Sequence, residues 1–307
     1  MRLKGIFYIV VGSTLWGLSG PMMEWIFART NMSIAFVIAI RLTISGLILL
    51  TLLTTMRQNV TAVWKQPKVV AQIGLFSIIG VLGLQYMFLA ALDASNSIMA
   101  TLFQFSAPII IVIYVSLLNK MLPPRQQVIG IIGTLFGLFL LLTNGSLQQL
   151  VVSPQAILFG VGLGVTYVFY TLYPSKLMKD WGVLVILSWA MLFGGFVTAI
   201  VGQIWASNEW VLLQDTDVLW MLAATIVCST LAYSFFLTSL KYITAVEASI
   251  LSSIEPLTVM IVAVIWFGTV LAPVQLVGAA LLLIFVTWLS IGDRKKVEVL
   301  DKDKKAV

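Results

Sequence analysis

Ten apolar stretches follow one another along the 307 residues, separated only by short polar breaks. Each is close to the roughly 20 residues needed to cross a bilayer core of about 30 Å. They fall at 5–27, 33–55, 70–91, 97–119, 127–144, 154–174, 182–204, 217–239, 245–268 and 272–291. Backbone at membrane depth must satisfy its own hydrogen bonds, so runs of this length are helices. The expected fold is therefore all-α and integral to the membrane, with ten transmembrane helices. Composition agrees: hydrophobic residues make up 60% of the chain and charged ones 10%, with a mean hydropathy of +1.06. A soluble domain is roughly half apolar and about a quarter charged. The breaks carry charge and turn residues, as at Arg57 to Lys68, Pro123-Pro124-Arg125, Asn144-Gly145-Ser146 and Ser207 to Asp217. None is long enough for a soluble domain, and the charged tail after Asp293 is expected to be disordered. Met1-Arg2-Leu3-Lys4 before the first run imitates a signal peptide, but no A-x-A cleavage site follows, so the run is read as a retained first helix.

Charge gives orientation. With the N-terminus in the cytoplasm, the inner side holds Arg2, Lys4, Arg57, Lys65, Lys68, Lys120, Arg125, Lys176, Lys179, Lys241 and the basic tail. The outer side holds Arg29 with Asp93, Glu209, Asp215 and Asp217. This asymmetry, and an even number of spans, put both termini inside the cell membrane. The net charge of +6 thus reads as topology and not as nucleic-acid binding. Histidine is absent, which excludes HExxH metal sites and Ser-His dyads. The single cysteine, Cys228, allows no internal disulfide, and a transition-metal site would have to be built from carboxylates alone. No catalytic residue, metal site or cofactor is expected.

Sliding the second half of the chain back by 148 residues aligns 85–142 with 233–290 without a gap. The informative coincidences are Pro108 with Pro256, Gly130 with Gly278, and Gln127 with Gln275. Each half has an odd number of spans, so the two copies lie upside down relative to each other. The expected units are a first repeat at 1–148, a second at 149–292 and a cytoplasmic tail at 293–307. In span four, Ser97, Thr101, Gln104 and Pro108 share one helical face, and the shift sends the last three to Ser249, Ser252 and Pro256. Each proline frees the carbonyl four residues earlier and breaks its helix. Freed carbonyls at membrane depth face a cavity, or else the prolines only kink packed helices. Beside Pro256 stands Glu255, an intramembrane carboxylate that reads as a proton carrier, a cation ligand or a protonated or Arg-paired structural residue. Arg41 in span two is its obvious partner; Glu24 and Glu247 lie near span ends and reach interfacial water. Gln85 aligns with Tyr233, and Trp16 with Tyr167 and Tyr170, so aromatic rings from both halves could stack on a flat or amphipathic substrate. Gly133-x-x-x-Gly137 and Gly160-x-x-x-Gly164 permit close helix approach, inside the bundle or, through span five, in a homodimer.

With these residues the chain resembles the EamA family of the drug/metabolite transporter superfamily. The marks are Leu15-Trp16-Gly17, Ile40-Arg41-Leu42, and Ser239-Leu240-Lys241-Tyr242 leading into Ala248 and Ile254-Glu255-Pro256-Leu257, and the resemblance covers 5–291. It implies an inverted-repeat transporter of a bacterial inner or plasma membrane. Its central cavity would be formed by spans one to four and six to nine, with five and ten peripheral. Members largely export amino acids or other metabolites; a few import vitamins. The glutamates usual after spans four and nine are replaced here by Leu118-Asn119-Lys120 and Phe267-Gly268-Thr269, and the basic residue usual after span three is Asp93. The expected function is secondary transport of a small organic solute, an amino acid or related metabolite, by rocking of two five-helix halves in the lipid bilayer. Uptake of a vitamin or metabolite is the alternative direction, and an intramembrane enzyme the alternative class. Expected substrate-binding residues are Trp16, Arg41, Gln85, Thr101, Gln104, Tyr167, Tyr170, Tyr233, Ser249, Ser252 and Glu255.

Overall fold

The computed structural model describes residues 2–107, 109–110, 113, 122–123, 125–146, 152–243, 248, 251–252, 254–285 and 288. Pro108, Glu247, Ser249, Ser253 and the tail after Asp293 lie outside them. Six helices are long and apolar enough to cross a membrane: α1 (Arg2–Thr30), α2 (Ile34–Thr55), α3 (Pro67–Asp93), α6 (Pro154–Leu172, running on through a turn to Trp181), α7 (Val183–Val201) and α8 (Thr216–Ser239). The described helical parts of the remaining expected spans are α4 (Ser97–Gln104), α5 (Arg125–Thr143), α9 (Ile254–Phe267) and α10 (Pro273–Phe285). No strand occurs among the described residues.

Local chemistry sets the helix starts. Ser33, Asn96, Ser153 and Asp215 are N-caps whose side-chain oxygens accept backbone N–H bonds from Phe36, Met99, Ala156 and Asp217. Pro154 follows its cap at the first helical position, where a missing N–H loses nothing. The turn after α2 places Arg57 at φ 57°, and Gly182, at φ 90°, makes the sharp entry into α7.

Packing crosses between the sequence halves. α1 lies along α8 and α9, α6 lies along α3 and α4, and α2 pairs with α7. The tightest approaches are at glycines. A Cβ on Gly17 of α1 would sit 2.7 Å from the Glu255 carbonyl oxygen, and one on Gly164 of α6 3.1 Å from Ser106 Oγ, next to Ala107. Ala107 is the position that the shift of 148 matches to Glu255. At α2–α7, Gly46 meets the Leu192 backbone and Gly195 the Thr43 backbone, each under 3 Å from an added Cβ. Gly133 and Gly137 of α5 press on Phe285 and on Leu282 and Gly278 of α10. That glycine face is therefore used inside the molecule and is not a surface for a second copy. The helices of the two sequence halves are thus packed into each other.

At the Arg29 end the halves are clamped. Arg29 Nη2 donates to Asp215 at 3.1 Å and lies 3.5 Å from Asp217. Glu209 accepts from both Ser33 N (2.7 Å) and Ser33 Oγ (2.9 Å) at the start of α2. The Arg29 hydrogen bond, with the N–H groups of Asp217 and Val218, holds the Asp215 carboxyl below its ordinary value.

Candidate functional site

Three local irregularities aim side chains at the middle of the bundle. In α3 the turn Phe76–Leu82 is a π-helix, wider than its neighbours, and Gln85 stands one turn after it. Such bulges re-aim the residues that follow. α4 ends at Gln104 in a turn over Phe105 and Ser106, so the helix breaks just before Pro108. α9 begins at Ile254 after a turn at Ser252, with Glu255 N donating to Ser252 O at 2.9 Å. The breaks fall at matching places in the two halves, as the paired prolines lead one to expect.

The side chains then meet. Gln85 Nε2 donates to Tyr233 Oη at 2.8 Å, both buried. These residues are 148 apart, equivalent positions of the sequence repeat, and two equivalent groups touch only where they lie near the axis relating their segments. Gln104 Nε2 donates to both oxygens of Glu255, at 3.3 and 3.4 Å. Both distances exceed the roughly 2.7–3.2 Å of well-formed N–H···O bonds, so the pair is loosely held. Trp16 stands edge-on to Tyr233, 4.6 Å between ring centroids, and Tyr233 is 5.8 Å from Tyr170. Tyr170 is stacked on Phe76 at 5.7 Å and lies 6.5 Å from Tyr167. Arg41 is close enough to Tyr233, and Glu255 to Tyr167 and Tyr233, to interact electrostatically.

Most expected site residues that are described thus fall into one buried cluster. Arg41, Gln85, Gln104, Tyr233, Ser252 and Glu255 are each 3–6% exposed, and Thr101 and Tyr170 are fully covered. Trp16 and Tyr167 are half-buried at its edge. Among the described residues these side chains are buried at the place where a cavity was expected. Arg41 is not the hydrogen-bond partner found for Glu255: that carboxylate accepts from Gln104. Three buried polar atoms of the cluster, Arg41 Nε, Thr101 Oγ1 and Tyr170 Oη, have no hydrogen-bond partner among the described residues, nor have Ser13 Oγ and Ser97 Oγ nearby in sequence. An unpaired buried polar group is unfavourable by about 1–3 kcal/mol, so a molecule that bonded to them would be stabilised here.

Sequence reasoning passed over Ser13, Phe76 and Phe236, whose ring lies 5.5 Å from Trp16. A serine or phenylalanine on an apolar helix carries no local signal of facing a site. It also passed over Pro21, buried inside α1, whose ring removes the bond to the Gly17 carbonyl beside Trp16. Glu24 was expected to reach interfacial water; its Oε2 instead accepts from Ser97 N at 2.8 Å, at the start of α4. A free helix N-terminus attracts a carboxylate strongly enough to redirect it.

The profile of the EamA-like transporter family matches residues 3–143 and 154–291. An uncharacterized inner membrane transporter of Salmonella typhimurium, YicL, is 29% identical over 293 residues, covering 95% of this chain and 97% of its own. An uncharacterized transporter of Bacillus subtilis, YwfM, is 24% identical over 307 residues, covering 96% and 97%. A solved crystal structure superposes with a TM-score of 0.64 at 14% identity, over 96% of this chain and 99% of the other, which is a likeness of fold.

Proposed function

The chain belongs to the EamA-like transporter family, and from that premise we propose that it is a secondary transporter exporting a small amphipathic solute, an amino acid or a related metabolite. The observation that supports this is the cross-half polar cluster, Gln85–Tyr233 and Gln104–Glu255, buried in an apolar bundle beside unpartnered polar atoms. Polar groups at membrane depth are unfavourable and mark solute pathways.

In this reading Arg41 holds a solute carboxylate, while Glu255 and Gln104 take its amino group or a coupling proton. Trp16, Tyr167, Tyr170 and Tyr233 cover the apolar part. Thr101, Ser249 and Ser252 supply further hydrogen bonds, and the breaks before Pro108 and Pro256 allow the ends of α4 and α9 to swing. The ten spans form two inverted repeats, 1–148 and 149–292, in an inner or plasma membrane with both termini cytoplasmic. The crossed packing favours moving bodies made of α1, α8 and α9 on one side and α6, α3 and α4 on the other, with α2 and α7 as the pivot. No enzymatic role is proposed.

A metabolite-resistance screen in an overexpressing strain reads substrate and direction together. Resistance to one or more toxic amino-acid analogues, followed by flux of that compound in proteoliposomes, is the expected outcome. Hypersensitivity would reverse the direction to uptake, and flux of no amino acid or metabolite would overturn the reading.

A further inference from the structure

We propose that the chain carries a binding site for an anionic phospholipid, with the acyl chain in the groove between α2, α3 and α7 and the headgroup on Arg57, Lys65 and Lys68. The groove has a volume of about 320 Å³ and is walled by Val63, Trp64, Ile73, Trp189, Phe193 and Phe196. Trp64 roofs it: its ring stands edge-on to Trp189 at 4.9 Å and 87°, and Trp189 Nε1 donates to Val60 O at 2.7 Å, which ties the 56–66 connector to α7. Trp64, Phe193 and Phe196 are 48%, 42% and 59% exposed, so the wall opens outward from spanning helices, where the bilayer lies. The walls offer almost nothing to orient a polar solute, and solute sites need a few placed polar groups. A hydrocarbon chain needs none, and the bilayer supplies it.

A second groove tests the assignment from within the molecule. It lies between α2, α7, the 204–214 connector and α8, has a volume of about 370 Å³, and is roofed by Trp210. The first groove is roofed by the connector after α2 and the second by the connector bonded to Ser33 at the start of α2, so they lie toward opposite ends of that helix. The two grooves therefore open toward opposite leaflets. Their charges differ in sign. The connector 56–68 carries Arg57, Lys65 and Lys68 and no acidic residue, all three exposed and in no ion pair among the described residues. The connector 202–217 carries Glu209, Asp215 and Asp217 and no basic residue. Lys65 follows Trp64 directly and Lys68 is two residues before the wall residue Val70, so both lie within two residues of the lining of the first groove. Basic residues at the membrane surface recruit anionic headgroups, and acidic ones repel them. The first groove selects a negatively charged lipid and the second does not.

Tryptophan quenching by brominated acyl chains reads this directly. The full chain is reconstituted in phosphatidylcholine vesicles with equal fractions of acyl-brominated phosphatidylglycerol or acyl-brominated phosphatidylcholine. The Trp64 contribution is the difference between wild type and Trp64→Phe, and the Trp210 contribution that with Trp210→Phe. The expected result is a Trp64 contribution quenched preferentially by the phosphatidylglycerol, with no such preference at Trp210. In Lys65→Gln/Lys68→Gln the relative affinity for phosphatidylglycerol falls roughly tenfold or more, as two basic residues next to an anionic headgroup require. Quenching by the phosphatidylcholine stays, since the groove is intact. Equal quenching of Trp64 by both lipids, or a preference that survives the double substitution, overturns the proposal.

Discussion

At Gly17 the absence of a side chain decides how near α1 can come to the broken start of α9. An added Cβ would lie 2.7 Å from both the Glu255 carbonyl oxygen and Thr258 Cβ, so backbone would have to move. Gly17→Val is therefore expected to destabilise the protein by about 1–3 kcal/mol through overpacking. The loss is measurable as a fall in thermal midpoint in detergent, and it comes with reduced transport. Tyr233 is the other decisive residue, since it touches Gln85, Trp16 and Tyr170 at once. Gln85→Leu and Tyr233→Phe each remove the same hydrogen bond. Their stability effects, about 1 kcal/mol each by general experience, should be less than additive in the double variant. Additive effects would mean that the bond contributes nothing. Glu255 was visible in the sequence as the residue that distinguishes the halves, but its partner was not. Arg41 was the natural choice by charge, and the helix break at Phe105–Ser106 delivered Gln104 instead.

Among the elements, the broken helices α4 and α9 were legible because proline has a fixed backbone consequence and occurs at matching positions in the two halves. The π turn in α3 was not, since nothing in Phe76–Leu82 distinguishes it from an ordinary apolar helix. Nor was the carboxylate at the start of α4, which depends on α1 bringing Glu24 to Ser97. Glu24→Ala removes a carboxylate from a helix N-terminus and should reduce stability by about 0.5–2 kcal/mol, the range for a lost cap; faster amide exchange at Ser97 would accompany it. The start of α8 has a different dependence. The folded-state value of Asp215 is depressed, so its contribution is present above its ordinary value of 3.8 and disappears as pH falls through the lowered one. Arg29→Gln should move the Asp215 titration, followed by NMR of labelled aspartate, back up toward that ordinary value. An unchanged titration would deny the ion pair its role.

For the whole molecule, the all-helical membrane class could be read from the apolar runs, while the way their helices interlock could not. The family fold is reached by packing α1 on α8 and α6 on α3, contacts between residues far apart in the chain that leave no mark in either segment alone. This interlocking brings groups from both halves together at the centre, as in Gln85–Tyr233 and Gln104–Glu255. In the proposed cycle Gln104 and Glu255 separate as the site opens, and their long bonds favour that separation. The central claim is that solute passes through this cluster. It is tested most directly by flux in proteoliposomes with and without a pH gradient, comparing wild type with Glu255→Gln at matched thermal stability. The account predicts that the variant loses about tenfold or more of the wild-type flux, the effect of about 1.4 kcal/mol, and loses its response to the gradient. Equal flux and equal gradient response in the two proteins would contradict it.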